Sequence, residues 1–219
     1  MKRIACLLTG IFLAVGVGAA NASVISFTNE ALFLAAAGPT TTENFDSLVA
    51  GSAVTSLPSI GVTSVTTDGD HGSTQAEVAS LPVYLTDSTH SGNQFLASEV
   101  ASPTFATAGL NFSLSGSATA VGLWVTDVGP LGGFVITLFD GATNVGSFTF
   151  GAQTVPDSFV GLTSSLAFNR VFVDAENEFD SWGLDDLTLS SPSAVPEPTT
   201  LALIGSGLAG ALVRRRRRQ

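Results

Sequence analysis

Two groups of carboxylates stand out as residues able to hold a cation. The first is Glu43-Asn44-Phe45-Asp46, and the second is the run Gly183-Leu184-Asp185-Asp186-Leu187-Thr188-Leu189. Adjacent aspartates in an apolar run are costly, because successive side chains of a strand point to opposite faces and one carboxylate must then approach the core. A bound Ca2+ removes that cost. It takes about six to eight oxygens at 2.3–2.6 Å, which carboxylates of neighbouring strands and backbone carbonyls supply. The competing reading is solvated strand-end acids with no metal.

Other chemistry-bearing residues carry less. His71 and His90 are the only histidines, and both lie among Gly, Ser, Asp and Thr, the setting of exposed loop histidines. Asp68-Gly69-Asp70-His71-Gly72 suggests a cation loop but lacks the third acidic ligand that the EF-hand spacing places before its glycine. The acidic run from Asp174 to Asp180 reads as a solvated loop. Trp182 and Phe179 beside it are candidates for stacking on the C–H face of a sugar, ahead of Tyr84 and of Trp124, which is flanked by Leu123 and Val125. Burial in a core is the competing fate of each tryptophan. Gly205-Ser206-Gly207-Leu208-Ala209-Gly210 fits a dinucleotide fingerprint in letters alone, since no strand precedes it and five arginines follow. No nucleophile with a base is recognisable, which sets a hydrolase or lyase below a noncatalytic role.

The elements that must position these residues are strands. Apolar and polar residues alternate over residues 61–67, 109–114 and 120–125, and a period of two marks strands with one buried face. Residues 134–139 and 145–150 flank Asp140-Gly141-Ala142-Thr143-Asn144 and predict a hairpin. Further strands are expected at 158–163, 166–174 and 183–189. One helix is expected near the start: Thr28 or Asn29 caps it, Leu32, Phe33 and Ala36 form its apolar face, and Gly38-Pro39 stops it. These elements predict an all-β fold, a single β-sandwich of jelly-roll type with one short N-terminal helix over an open end.

The termini describe a route out of the cytoplasm. Lys2-Arg3, an apolar stretch over Ile4–Val17 and the small residues Ala20 and Ala22 around Asn21 form a signal peptide over residues 1–22, to be cut by signal peptidase. The only cysteine, Cys6, leaves with it, so the mature chain has no thiol chemistry. Residues 23–190 then form the domain and 191–194 a linker. Residues 195–219 contain Pro196-Glu197-Pro198, an uncharged stretch from Leu201 to Val213 and the tail Arg214–Arg218. As a helix that stretch spans about 20 Å, short of a ~30 Å hydrocarbon core, so it would sit in a membrane only transiently. The arginines would hold its end on the cytoplasmic side. This order resembles the PEP-CTERM proteins of Gram-negative bacteria. The resemblance implies cleavage at Pro196-Glu197-Pro198 by an exosortase and delivery across the inner membrane to the envelope, surface or extracellular matrix.

Seven of the eight Lys and Arg lie in the terminal segments, leaving Arg170 against seventeen of the eighteen acids. About sixteen net negative charges repel nucleic acid and anionic polysaccharide and attract cations. Solubility outside the cell explains the same charge without a partner.

The two carboxylate groups also resemble jelly-roll carbohydrate-binding modules, the galactose-binding-like domains. There a Phe-acid pair near the start and an Asp-Asp-apolar strand at the end meet beside a structural calcium. The resemblance makes Asp46 and one of Asp185 or Asp186 ligands, with Glu43 a third. The implied function is a noncatalytic exported protein of the surface or biofilm matrix that associates with neutral exopolysaccharide. A purely structural or adhesive matrix protein is the alternative.

Overall fold

The computed structural model describes residues 23–68, 75–80, 89–97, 109–126, 133–151, 157–175 and 182–191. The two sorting segments, with Ala20, Ala22, Pro196, Glu197 and Pro198, lie outside these residues, as do His71, Tyr84 and Phe179. The chain forms β1 (Val24–Phe27), α1 (Glu30–Ala37), β2 (Thr40–Glu43), β3 (Ala53–Val54), β4 (Val62–Thr67), β5 (Ala76–Ser80), β6 (Gln94–Ala97) and β7 (Leu110–Thr126), followed by β8 (Phe134–Asp140), β9 (Thr143–Phe150), β10 (Ser158–Ala175) and β11 (Gly183–Ser190).

Two strands run further than the alternation predicts. The segments expected separately at 109–114 and 120–125 are one strand, β7, and those at 158–163 and 166–174 are one strand, β10. The two pair antiparallel along their lengths, and their register shifts around Phe168. Ser115-Gly116-Ser117 on β7 and Ser164-Ser165 on β10 lie near that break. Small polar residues and a register shift let a strand bend from one layer into another. The sequence shows the apolar runs on either side of the corner but not that hydrogen bonding continues through it.

All the strands are hydrogen-bonded in one antiparallel network ordered β3-β5-β6-β11-β7-β10-β8-β9, with β1 on β10, β2 on β11 and β4 on β7. Folding at the corner makes it a β-sandwich. One layer holds β4, the start of β7, the end of β10, β8 and β9. The other holds β3, β5, β6, β11, β2, the end of β7, the start of β10 and β1. Phe112, Ile136 and Leu138 of the first meet Leu96, Val121, Leu123, Val125, Val160, Leu162 and Leu184 of the second in one buried cluster. Each such side chain contributes roughly 1.5–3 kcal/mol by leaving water, which is what holds a disulfide-free sandwich together. The hairpin β8–β9 forms with a tighter turn than expected. Only Gly141 and Ala142 lie between the strands, and Gly141 has φ 58°.

The helix forms where its cap predicts. The Asn29 side chain accepts a hydrogen bond from the Leu32 N–H at 3.0 Å, and Gly38 ends the helix with φ 74°. Its buried face is narrower than expected, because Phe33 alone is fully buried whereas Leu32 is 65 % exposed and Ala36 is also exposed. Phe33 lies across the outer face of the second layer, packed with Ala120 and Phe159. That approach requires glycine beneath the ring. A Cβ at Gly122 would stand 2.7 Å from Phe33, and one at Gly161 2.8 Å from it. The helix therefore covers a sheet face rather than an open end, and beyond its N-terminus that face continues to Trp124.

Candidate functional site

The closing strand does not alternate as a regular strand would. Between Asp185, paired with Trp124, and Thr188, paired with Gly122, β11 has one residue more than β7. The extra position is a bulge at Asp186, whose φ is 48°, a left-handed conformation that aspartate tolerates better than most residues. The bulge resets the alternation. Leu184, Leu187 and Leu189 all reach the core, which a strict period of two would forbid across an odd spacing. Asp185 pairs with Trp124 and so shares its outer face, and neither aspartate is forced into the apolar interior.

Both carboxylates are instead gathered by the loop before β6. Asp185 Oδ2 accepts from the Ser91 backbone N–H at 2.8 Å, and the Ser91 hydroxyl donates to Asp186 Oδ1 at 3.0 Å. The Asp186 N–H donates to Asp185 Oδ1 at 2.7 Å. Asp46 holds the other side of the loop, its Oδ1 accepting from the N–H groups of Asn93 at 2.9 Å and Gln94 at 3.2 Å. Gly92 lies against this carboxylate with φ 49°, and a Cβ there would fall 1.8 Å from Asp46 Oδ2. The loop closes only because residue 92 has no side chain.

Asp46, Asp185 and Asp186 thus meet around one loop, as the sequence suggested, while Glu43 does not join them. Its Oε1 accepts from the Phe45 N–H at 3.1 Å and its Oε2 from the Ser59 hydroxyl, so it braces the tight turn at Phe45, where φ is 61°. Among the described residues no group of three or more acid, histidine or cysteine side chains is arranged to hold a metal ion. The donor chemistry of the aspartates, hard oxygens carrying excess negative charge, fits a hard cation. The coordination would need backbone oxygens or water beyond the side chains.

Electrostatics make the cluster strained. Asp185 is fully buried, and desolvation pushes its pKa up from 3.8 to about 6, with the charges of Asp186 and Asp46 adding to the rise and the bonds from Ser91 and Asp186 opposing it. Asp186 is raised in the same direction, chiefly by burial. Arg170, the one base between the terminal segments, is held in the other layer over the Phe139 ring at 3.9 Å. His90 Nε2 lies 3.9 Å from Asp186 Oδ2.

His90 also joins this cluster to its neighbour. Its ring stacks on Trp124, with centroids 3.5 Å apart and planes 5° from parallel, and Phe159 meets the indole at 67°. Trp124 and Phe159 line a cleft of about 470 Å³ with Thr28, Asn29, Glu30, Ala31, Asp157 and Ser158. Two polar atoms of its wall, Trp124 Nε1 and Asp157 Oδ1, are buried with no hydrogen-bond partner among the described residues. Each such group costs roughly 1–3 kcal/mol. Neither the cleft nor the Trp124–His90 stack was legible in the sequence. The signal available was Asp157 before an alternating run opposite Trp124, and it needs the β7–β10 register to be read. Trp182, the sequence candidate for sugar stacking, is 2 % exposed and packs against Phe134 at 5.1 Å in the core, so its ring offers no platform to solvent.

Residues 194–218 match the PEP-CTERM protein-sorting motif. The chain carries a PEP-CTERM sorting signal. That signal implies export to the cell envelope or surface and processing by an exosortase. Among the described residues no helix is long and apolar enough to cross a membrane, and the short apolar stretch of the PEP-CTERM segment lies outside them. No curated protein matches the sequence. Solved structures similar to the chain include the K2 cleaved adhesin domain of Lys-gingipain, at 17% identity and TM-score 0.48 over 69% of this chain and 99% of that one. The C-terminal family 22 carbohydrate-binding module of Clostridium thermocellum Xyn10B aligns at 19% identity and TM-score 0.34, over 63% of this chain and 97% of that one. The CBM22-1 xylan-binding domain of Paenibacillus barcinonensis Xyn10C aligns at 16% identity and TM-score 0.35, over 66% and 98%.

Proposed function

We propose that this PEP-CTERM protein is a noncatalytic carbohydrate-binding protein of the Gram-negative cell surface or extracellular matrix, where it associates with neutral exopolysaccharide. The observation that carries the reading is a polar and aromatic cleft on the outer sheet face of a domain tagged for export. The acidic domain repels polyanions, which leaves neutral glycans as its partners. Asp185 has the raised pKa of a general acid but is fully enclosed, and proton transfer to a glycosidic oxygen requires contact.

Ca2+ belongs to the same proposal as a structural ion held by Asp46, Asp185 and Asp186. It would supply the positive charge that the cluster lacks. The chain's own part is to orient the carboxylates through Ser91, Asn93 and Gln94 and so to fix His90 against Trp124. A glycan array probed with the processed protein tests the function: selective retention on neutral glycans supports it. Retention on none favours the structural or adhesive matrix role, and shortened glycans after incubation would point to a hydrolase or lyase.

A further inference from the structure

Among the described residues five large apolar side chains are exposed, and three of them lie together on β1 and α1: Ile25 at 57 %, Leu32 at 65 % and Leu34 at 39 %. The packing of α1 explains why. Phe33 is its one buried side chain, so at 3.6 residues per turn Ala31 and Ala35 form the outward ridge, with Leu32 and Leu34 on its two flanks. A helix with that side in water normally carries charge there, whereas Glu30 in the first turn is the only charged residue of α1. The patch continues beyond the helix. Ile25, Ala36 and Ala37 border a hollow of about 280 Å³ that reaches the bend of β7 and β10, and no charged residue lines it.

The chain leaves the domain beside this patch. The Ser191 N–H donates to the Pro39 carbonyl at 2.9 Å, directly after the Gly38 that ends α1. Ser190 Oγ accepts from the N–H groups of Thr119 at 2.8 Å and Ala120 at 3.0 Å, two residues of the hollow's wall. From there residues 192–200 reach at most about 30 Å before the apolar stretch from Leu201 to Val213 begins. The paired aspartates stand further off, because Asp185 pairs with Trp124, roughly 13 Å along β7 from Ala120. We propose that, while the sorting segment holds the unprocessed chain in the membrane, the outer side of α1 and Ile25 rest on the bilayer surface. Charge selects this face. Anionic headgroups repel the acidic surface and leave an uncharged patch as the side that can approach. The tether supplies the rest, since a short linker gives an effective concentration on the order of millimolar. Three partly exposed aliphatic side chains anchor more weakly than one acyl chain, which itself holds a protein only reversibly. The contact therefore ends when cleavage at Pro196-Glu197-Pro198 cuts the tether.

The proposal rests on the sorting signal and not on carbohydrate binding. Residues 23–219 contain no cysteine, so Ala35→Cys and, in the other layer, Ser147→Cys each carry a single environment-sensitive fluorophore at an exposed position. The labelled unprocessed chain is reconstituted in vesicles of phosphatidylethanolamine with a minor share of phosphatidylglycerol, and quenching by a lipid with a headgroup nitroxide is measured. The expected result is strong quenching at residue 35 and little at residue 147. Leu32→Gln should lower the ratio of docked to undocked domain about fivefold, the gain from burying the exposed part of one leucine. Leu32→Gln combined with Ile25→Thr should abolish the quenching with the melting temperature nearly unchanged, because both side chains are exposed. The processed chain with the same label should stay in solution when the vesicles are sedimented. Equal quenching at the two positions, or quenching at residue 35 that outlasts the double substitution, would overturn the membrane contact. Sedimentation of the processed chain with the vesicles would overturn its dependence on the tether. Shielding of residue 35 that rises with the concentration of processed chain would assign the patch to a second copy instead. Loss of the unprocessed chain from the vesicles would overturn the tether and the proposal with it.

Discussion

Replacing Asp185 by asparagine should remove most of an unusual response of this protein to pH. In chelator, the folded state holds the Asp185 proton up to about pH 6, whereas the unfolded chain releases it near 3.8. Between those values the folded state binds more protons than the unfolded one, so stability falls as pH rises. The contribution is fully present below the unfolded value and is lost once pH passes the folded one. A pKa raised from 3.8 to about 6 corresponds to about 3 kcal/mol at 1.36 kcal/mol per pKa unit. In a domain of this size that is about 6–12 °C in melting temperature. Asp186 is shifted in the same direction and adds to the fall. Asp185→Asn removes the charge but keeps an oxygen for only one of the two N–H donors, those of Ser91 and Asp186, that the carboxylate accepts. Its melting temperature should therefore fall much less than that of the wild type between pH 4 and pH 7. The assay is a series of melting curves from pH 4 to 7 for both proteins in chelator. Parallel curves across that range would refute the claim that burial of the Asp185 charge is uncompensated.

Added Ca2+ should raise the wild-type melting temperature at pH 7, by about 2.7 kcal/mol of stability at a hundred times its dissociation constant, while equal ionic strength of Na+ should not. Asp46→Ala and Asp186→Ala should each abolish that rise, and a response that survives both would place the ion elsewhere. Gly161→Ala puts a Cβ 2.8 Å from Phe33 and 3.0 Å from Phe159, so denaturant unfolding should show a loss of about 1–3 kcal/mol. Mass spectrometry of protein recovered from the envelope or medium should find a C-terminal peptide ending near Pro196-Glu197-Pro198, and recovery of an intact Arg214–Arg218 tail would contradict processing.

What the sequence revealed follows from which physical rules are local. The cap at Asn29, the stop at Gly38 and the alternation in β8 and β9 depend on a few adjacent residues, and they appear where the chain predicts them. The meeting of Asp46 with Asp185 and Asp186 was visible through resemblance. Its cause, a bulge at Asp186 and a loop folded on Gly92, was not, because both depend on pairing between segments far apart in the chain. Glu43 was grouped with the aspartates on proximity in sequence, yet one turn at Phe45 commits it to Ser59. Trp182 lies in the core and Trp124 on the outer sheet face for a similar reason. Flanking acids suggest exposure for Trp182 and flanking aliphatics suggest burial for Trp124, whereas the side of the strand decides each fate. On β7 Leu123 and Val125 face the core and Trp124 faces outward beside them.

The central claim, that this exported domain binds neutral carbohydrate, is tested most directly by equilibrium binding of the processed protein to soluble neutral and uronic-acid polysaccharides in the presence of chelator. The account predicts saturable binding to a neutral polymer that changes little between low and high salt, because its contacts are hydroxyl hydrogen bonds rather than charge pairs. Binding confined to the uronic-acid polymers, or no binding by a protein whose melting curve shows it folded, would contradict it.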